Sequence, residues 1–126
     1  MIFRYSQDYD PAAPVVEIRL SSIAEDLQSR PLQALIDTGA DGTIVPVAIL
    51  DNIRAPSTTE MFIRSQWGES RRVLLYLVDV ELGDLTVPGV EVVGDELSDE
   101  IVLGRDVINR VRVFLDGPKG MTTITL

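Results

Sequence analysis

The stretch Ala34-Leu35-Ile36-Asp37-Thr38-Gly39-Ala40-Asp41-Gly42-Thr43-Ile44-Val45-Pro46 constrains this chain more than any other. Ala34, Leu35 and Ile36 read as the end of a buried strand. Thr38, Gly39 and Gly42 punctuate too heavily for that strand to continue or to become a helix. The backbone must turn where Asp37 appears, which presents this carboxylate at the end of a rigid element. The chemistry is expected there.

Composition narrows what that chemistry can be. The chain has no cysteine and no histidine. Disulfides, thiolate nucleophiles, the usual zinc sites and Ser-His or Cys-His pairs are all excluded. An enzyme built from this sequence without a cofactor or metal must use carboxylates for acid–base work, although an acidic binding domain fits the same composition. A net charge of −9 argues against nucleic acid as a partner. Lys119 is the only lysine, and Arg71-Arg72 the only adjacent basic pair.

The length, 126 residues, suits a single domain over residues 1–126 with a modest core. No apolar run is long enough to span a bilayer, so no membrane partner is expected. Met1 to Asp10 lacks the basic and apolar regions of a signal peptide, and the expected location is cytoplasmic.

Along the chain, short strands dominate. Met1 to Pro14 carries aromatics suited to covering a sheet edge and prolines that bar it from a central strand. Val15 to Leu20 alternates apolar and charged residues from Val16 onward, as a half-exposed strand does. Ser21 to Arg30 reads as a polar connector with room for one helical turn, and Pro31 to Asp37 as the strand that delivers the loop. Pro46 suits the first turn of a short helix whose Val47, Leu50 and Ile53 share a face, with Pro56 as its stop. Met61-Phe62-Ile63 and Val73 to Val78 flank Ser65-Gln66-Trp67-Gly68-Glu69-Ser70, a long hairpin reversing at Gly68. Leu85 to Val93, interrupted by Pro88-Gly89, reads as a broken or edge strand, and Gly94 to Glu100 as a solvated acidic loop. Val111 to Leu115 and Met121 to Leu126 are two further strands joined by a turn. The fold class is therefore all-β, with one or two short helices.

The run Leu35-Ile36-Asp37-Thr38-Gly39-Ala40-Asp41, with Thr43 nearby, resembles the active-site loop of the retropepsin-like aspartic proteases. Downstream, Glu100-Ile101-Val102-Leu103-Gly104-Arg105-Asp106-Val107-Ile108 is similar to that family's apolar-apolar-Gly-Arg-Asp/Asn segment, a strand ending in glycine before a short helix. Both motifs stand in the family's order with a hairpin between them, and the resemblance runs from about Pro14 to the C-terminus. It implies a single-lobe acid protease fold, residues 1–13 being an N-terminal extension. Peptide hydrolysis by this route needs two close carboxylates sharing one proton, one to activate water and one to protonate the carbonyl oxygen. One Asp-Thr-Gly supplies one of them, so the resemblance implies a symmetric homodimer with Asp37 of each subunit on the two-fold axis.

The other roles follow from the resemblance too. Thr38 and Gly39 form the active-site loop and the grip between subunits. Gly39, Ala40 and Asp41 receive the peptide substrate, and Asp41 pairs with Arg105 in a partly buried ion pair beneath the loop. Trp67 and Gly68 form the tip of a flap over the substrate.

Plainer readings stand beside these. Asp37 and Asp41 also suit ordinary turn residues. Their spacing of four would suggest metal ligands on a helix, which Thr38-Gly39 and the preceding strand oppose. A phosphatase-like Asp-x-Asp-Gly-Thr reading fails, because Gly39 sits where its first Asp belongs. Trp67 suits packing on its own sheet, and Arg105 suits a helix cap or a surface ion pair. The rival function is a domain of the same fold that binds peptides or dimerises without cutting.

Overall fold

Alternation between apolar and polar residues dictates most of the architecture. In a computed structural model that describes residues 1–64 and 67–126, the chain forms short strands and short helices in the order β1 (Ile2–Arg4), β2 (Val15–Ser22), β3 (Leu27–Gln28), β4 (Leu32–Ile36), β5 (Ile44–Pro46), α1 (Val47–Asn52), β6 (Ser57–Arg64), β7 (Ser70–Leu82), β8 (Leu85–Asp95), β9 (Ile101–Leu103), α2 (Arg105–Ile108), β10 (Arg112–Asp116) and β11 (Met121–Thr125). The larger sheet runs β3-β2-β4-β9-β5-β8-β7-β6, and a further β2–β7 pairing folds it back on itself as a barrel-like layer. A second sheet, β1-β11-β10, holds both termini.

The enclosed face collects one side of each strand. Val16, Ile18 and Leu20 of β2, Leu32, Ala34 and Ile36 of β4, Val78, Val80 and Leu82 of β7, and Ile101 and Leu103 of β9 are all buried. Glu17 and Arg19, between them on β2, face solvent, as period-two alternation requires. Each large side chain so buried contributes on the order of 1.5–3 kcal/mol. This core fixes β4 and β9 as parallel neighbours, with Ile36 beside Leu103. The ends of these strands carry the two sequence motifs, so the motifs meet.

Several segments depart from expectation. Ser21 to Arg30 holds no helical turn. Instead β2 runs on to Ser22 and reverses through Asp26, at φ 52°, into β3. Helix α1 keeps the expected face, with Leu50 and Ile53 buried, but Pro46 precedes it as the N-cap. The helix ends at Asn52, and Arg54, at φ 55°, turns the chain before Pro56 is reached.

Leu85 to Asp95 is one continuous strand paired with β7 along its length and with β5 at its end. At Pro88-Gly89 the register with β7 shifts, and the Gly89 N–H donates to Asp79 Oδ1 at 2.9 Å. A side-chain acceptor thus replaces the missing ladder bond, and the strand absorbs a bulge without ending. Near the N-terminus, β1 is indeed an edge strand, Phe3 packs on the core, and Ser6 bridges to Ala13.

Candidate active site

The site grows from the ends of β4 and β9. The Asp37 N–H donates to Leu103 O at 3.1 Å, which extends the parallel pairing by one residue. The chain then turns: Ala40 N–H donates to Asp37 O at 3.2 Å, and Gly39 N–H to Asp37 Oδ1 at 2.9 Å. A Cβ on Gly39 would lie 3.2 Å from that same oxygen, so a larger residue would press on the carboxylate. The Asp37 side chain is half-buried and held in one orientation, while Thr38 and Gly39 are exposed beside it. Among the described residues no second carboxylate is hydrogen-bonded to Asp37.

The second motif locks this loop from below. Gly104 lies where an added Cβ would fall 2.5 Å from Gly42 C and 2.6 Å from Gly42 O. Those are backbone atoms that cannot swing aside, so the close approach of the two loops demands glycine. Arg105 N–H donates to Ala40 O at 2.9 Å. The buried Thr43 side chain bridges the two segments: its hydroxyl donates to Asp106 Oδ1 at 2.7 Å and accepts from Gly104 N–H at 3.1 Å. Asp106 Oδ2 accepts from Thr43 N–H at 3.0 Å.

Arg105 reaches over the outside of the loop. Its Nη1 donates to Thr38 O at 2.8 Å, and its Nη2 pairs with Asp41 Oδ1. The pair was expected to be partly buried. Within one chain it is not, because the Arg105 side chain is 44% exposed and that of Asp41 93% exposed. Arg105 opens α2 at the surface, so water screens the pair, and an exposed pair contributes at most about 1 kcal/mol. The buried tie is made by the next residue, Asp106. Neither Asp106 nor Thr43 was singled out from sequence, although both stand inside the motifs; a Thr six residues after the Asp and an acid following Gly-Arg were the available signals.

The hairpin of β6 and β7 ends the larger sheet, with β6 as its mostly exposed edge strand. Residues 65 and 66 of its expected tip lie outside the described residues. Gly68 adopts φ 82°, a left-handed conformation suited to a reversal, and Trp67 is 82% exposed. Trp67 is therefore not buried in the sheet of its own chain. A groove of about 300 Å3 runs beside the hairpin, lined by Val47, Glu60, Arg71, Val73, Tyr76 and Leu97 among others, and Asp37 is not in its wall. No group of His, Cys, Asp or Glu suited to a metal ion occurs among the described residues. No helix among them is long and apolar enough to cross a membrane.

Comparison with known proteins agrees with this geometry. Residues 25–110, more than half of the chain, match the model of the family described as "gag-polyprotein putative aspartyl protease". No curated protein matches the chain by sequence. Among solved structures, a retropepsin-like aspartic protease from Rickettsia conorii is similar over 99% of this chain and 88% of its own, with a TM-score of 0.65 and 13% identity. EIAV protease in complex with the inhibitor HBY-793 is similar over 86% and 93%, with a TM-score of 0.60 and 17% identity. The retroviral protease-like domain of Ddi1 from Leishmania major is similar over 87% of each chain, with a TM-score of 0.54 and 16% identity. At such identities the likeness is one of fold.

Proposed function

Because the chain belongs to the gag-type aspartyl protease family, we propose that it is an aspartic endopeptidase acting as a symmetric homodimer. The observation that carries this reading is the Asp37 carboxylate itself. It stands at the end of a buried strand, oriented by the Gly39 N–H, on a loop braced by Thr43, Gly104 and Asp106. Such bracing is what a reacting group needs, since small misplacements cost rate.

In the proposed reaction Asp37 of each subunit meets the other across the two-fold axis, and the pair holds one proton between them. The ionised carboxylate takes a proton from water, which adds to the scissile carbonyl carbon, while the protonated one donates to the carbonyl oxygen. The tetrahedral diol collapses as the newly protonated carboxyl passes its proton to the leaving amine and the other carboxylate takes one from a diol hydroxyl; the C–N bond breaks and the pair again holds one proton. Thr38, exposed at the loop tip, bonds across the axis in this reading. Gly39, Ala40 and Asp41 lie along the path of the substrate backbone, with Asp41 steadied by Arg105. The hairpin bearing Trp67 and Gly68 acts as the flap, whose closure keeps bulk solvent from the site while the one attacking water stays between the carboxylates. Residues 1–126 then work as one catalytic domain per subunit.

The test is cleavage of a peptide library and its inhibition by pepstatin, with Asp37→Asn as the control. The variant should fold and melt like the parent yet cut nothing, because an amide cannot act as the base. A variant purified free of other proteases that cut as fast as the parent would sink the mechanism. A parent that bound peptides without cutting them would support a non-catalytic binding domain of the same fold.

A further inference from the structure

The groove of about 300 Å3 beside the hairpin is walled by β6 and β7, by the start of α1 and by the acidic loop after β8. The catalytic loop takes no part in it. Tyr76 of β7 supplies an aromatic ring to the wall. The residue is only 7% exposed, and its ring packs on the bare backbone of Gly94, where an added Cβ would fall 2.5 Å from Cε1. A ring held in this way cannot swing its hydroxyl elsewhere. Among the described residues that hydroxyl has no hydrogen-bond partner. The polar end of a buried tyrosine ordinarily finds one, so the Tyr76 hydroxyl is open to whatever enters the groove.

The unpaired charges around that hydroxyl are of one sign. Burial, then the Asp51 and Glu96 carboxylates, hold its pKa above the ordinary 10.0. Both acids are therefore within electrostatic reach of it, and the phenol stays neutral, able to donate and to accept. Asp51 lies one turn along α1 from Val47, a wall residue, and Glu96 lines the groove beside Leu97. Neither carboxylate has an ion-pair partner among the described residues. The cations in the wall are already matched, Arg71 with Asp95 at 3.5 Å and Arg72 with Glu60 at 3.7 Å. Asp51, Glu60, Asp95 and Glu96 thus outnumber Arg71 and Arg72, and the surplus is negative. Val47 and the 78% exposed Leu97 supply apolar surface beside it.

We propose that this groove binds a basic side chain of a peptide, its stem on Val47 and Leu97 and its charged head among Asp51, Glu96 and the Tyr76 hydroxyl. A long apolar stem with a cationic tip fits such a wall, since each part meets its own kind of surface. An anion would face the surplus of carboxylates, and a wholly apolar side chain would leave the Tyr76 hydroxyl unsatisfied. The volume lies at the small end of ligand pockets and suits one side chain. The groove is joined to the catalytic loop through its neighbours: Val93 N–H, beside Gly94, donates at 2.8 Å to the backbone oxygen of Thr43, which braces the Asp37 loop. The consequence for cleavage rests on the protease reading. Because Asp37 is not in the wall, the basic residue lies outside the scissile pair, and peptides that carry one are the preferred substrates of a chain with net charge −9.

Heteronuclear NMR of the full chain titrated with N-acetyl-arginine amide tests this, with the neutral isostere N-acetyl-citrulline amide for comparison. Arginine should shift the amides of Tyr76, Gly94 and Leu97 and bind about threefold or more tightly than citrulline, the contribution of two exposed carboxylates. Asp51→Asn with Glu96→Gln should remove that preference and leave citrulline binding unchanged. Tyr76→Phe keeps the ring and should weaken both probes about threefold, having lost one hydrogen bond. Circular dichroism checks that each variant folds. No shift with arginine, shifts centred elsewhere, equal affinity for the two probes, or an arginine preference that survives loss of both carboxylates would overturn the proposal. Cleavage of matched arginine and citrulline peptides separates the two readings. A chain that binds arginine here and cuts neither peptide keeps the groove and removes the protease; one that cuts both yet shows no arginine binding here keeps the protease and removes the groove.

Discussion

At the scale of single residues, the bond network around Thr43 carries the site. Its buried hydroxyl holds Asp106 and Gly104 together. Thr43→Val keeps the shape but removes the hydroxyl, leaving the buried Gly104 N–H and one Asp106 oxygen short of a partner. The expected loss is about 2–3 kcal/mol of stability, with a matching fall in cleavage as the Asp37 loop loses its brace. Thr43→Ser, which keeps the hydroxyl, should lose less than half as much. Thermal melts of the two variants check this, and equal losses would show that packing of the methyl matters more than the hydroxyl. The contrast with Arg105 is instructive: it draws the eye in the sequence because it is charged, yet its partners lie in solvent.

At the scale of elements, the N-terminal segment is fastened to the strand that completes the site. Tyr9 Oη donates to a Glu100 carboxylate oxygen, just before β9. That bond, with lesser help from burial, pushes the Tyr9 hydroxyl up to about 12 from its ordinary 10.0. The folded chain therefore holds this proton more tightly than the unfolded chain. The stabilisation is fully present below pH 10.0 and is lost as pH rises through about 12. Tyr9→Phe should cost about 1 kcal/mol at neutral pH, the bond being only part-buried. The difference from the parent should persist to about pH 10 and shrink above it. Melting both proteins across that range decides the matter, and coincident curves at neutral pH would mean that the bond contributes nothing.

At the scale of the whole molecule, charge sets the terms of the proposed assembly. Each chain carries −9 at neutral pH, with an isoelectric point near 4.3. Bringing two copies together concentrates like charge, and mild acid relieves it by protonating carboxylates throughout the surface. The dimer should therefore be tighter at about pH 5 than at about pH 8. Salt should partly restore association at neutral pH, because charges more than about 8–10 Å apart are screened. Sedimentation across pH and salt reads both effects. A dimer that tightened steadily from acid to alkali would show that ionised carboxylates hold the interface and that overall repulsion does not matter.

Much of this was legible in the chain. Period-two alternation marked β2, and the apolar run Ala34-Leu35-Ile36 meeting Asp37-Thr38-Gly39 marked the end of β4 and the loop, because local sterics and burial alone dictate those features. Gly68 marked the hairpin for the same reason. What sequence could not decide was which distant groups would share a place. Pro88-Gly89 read as a break, yet Asp79 supplies the acceptor that lets β8 continue. The connector from Ser21 to Arg30 had no strong pattern, and pairing between Ser21 and Gln28 made it a hairpin. Asp41 and Arg105 do come within ion-pair reach of each other, but their exposure depended on where α2 leaves the core. Thr43, a common residue in a loop, became the keystone only when β4 and β9 ran parallel and brought Gly104 against Gly42. Propensity and pattern act over neighbouring residues, whereas burial, screening and hydrogen-bond partnership belong to whatever the fold brings near, and these only the tertiary structure decided.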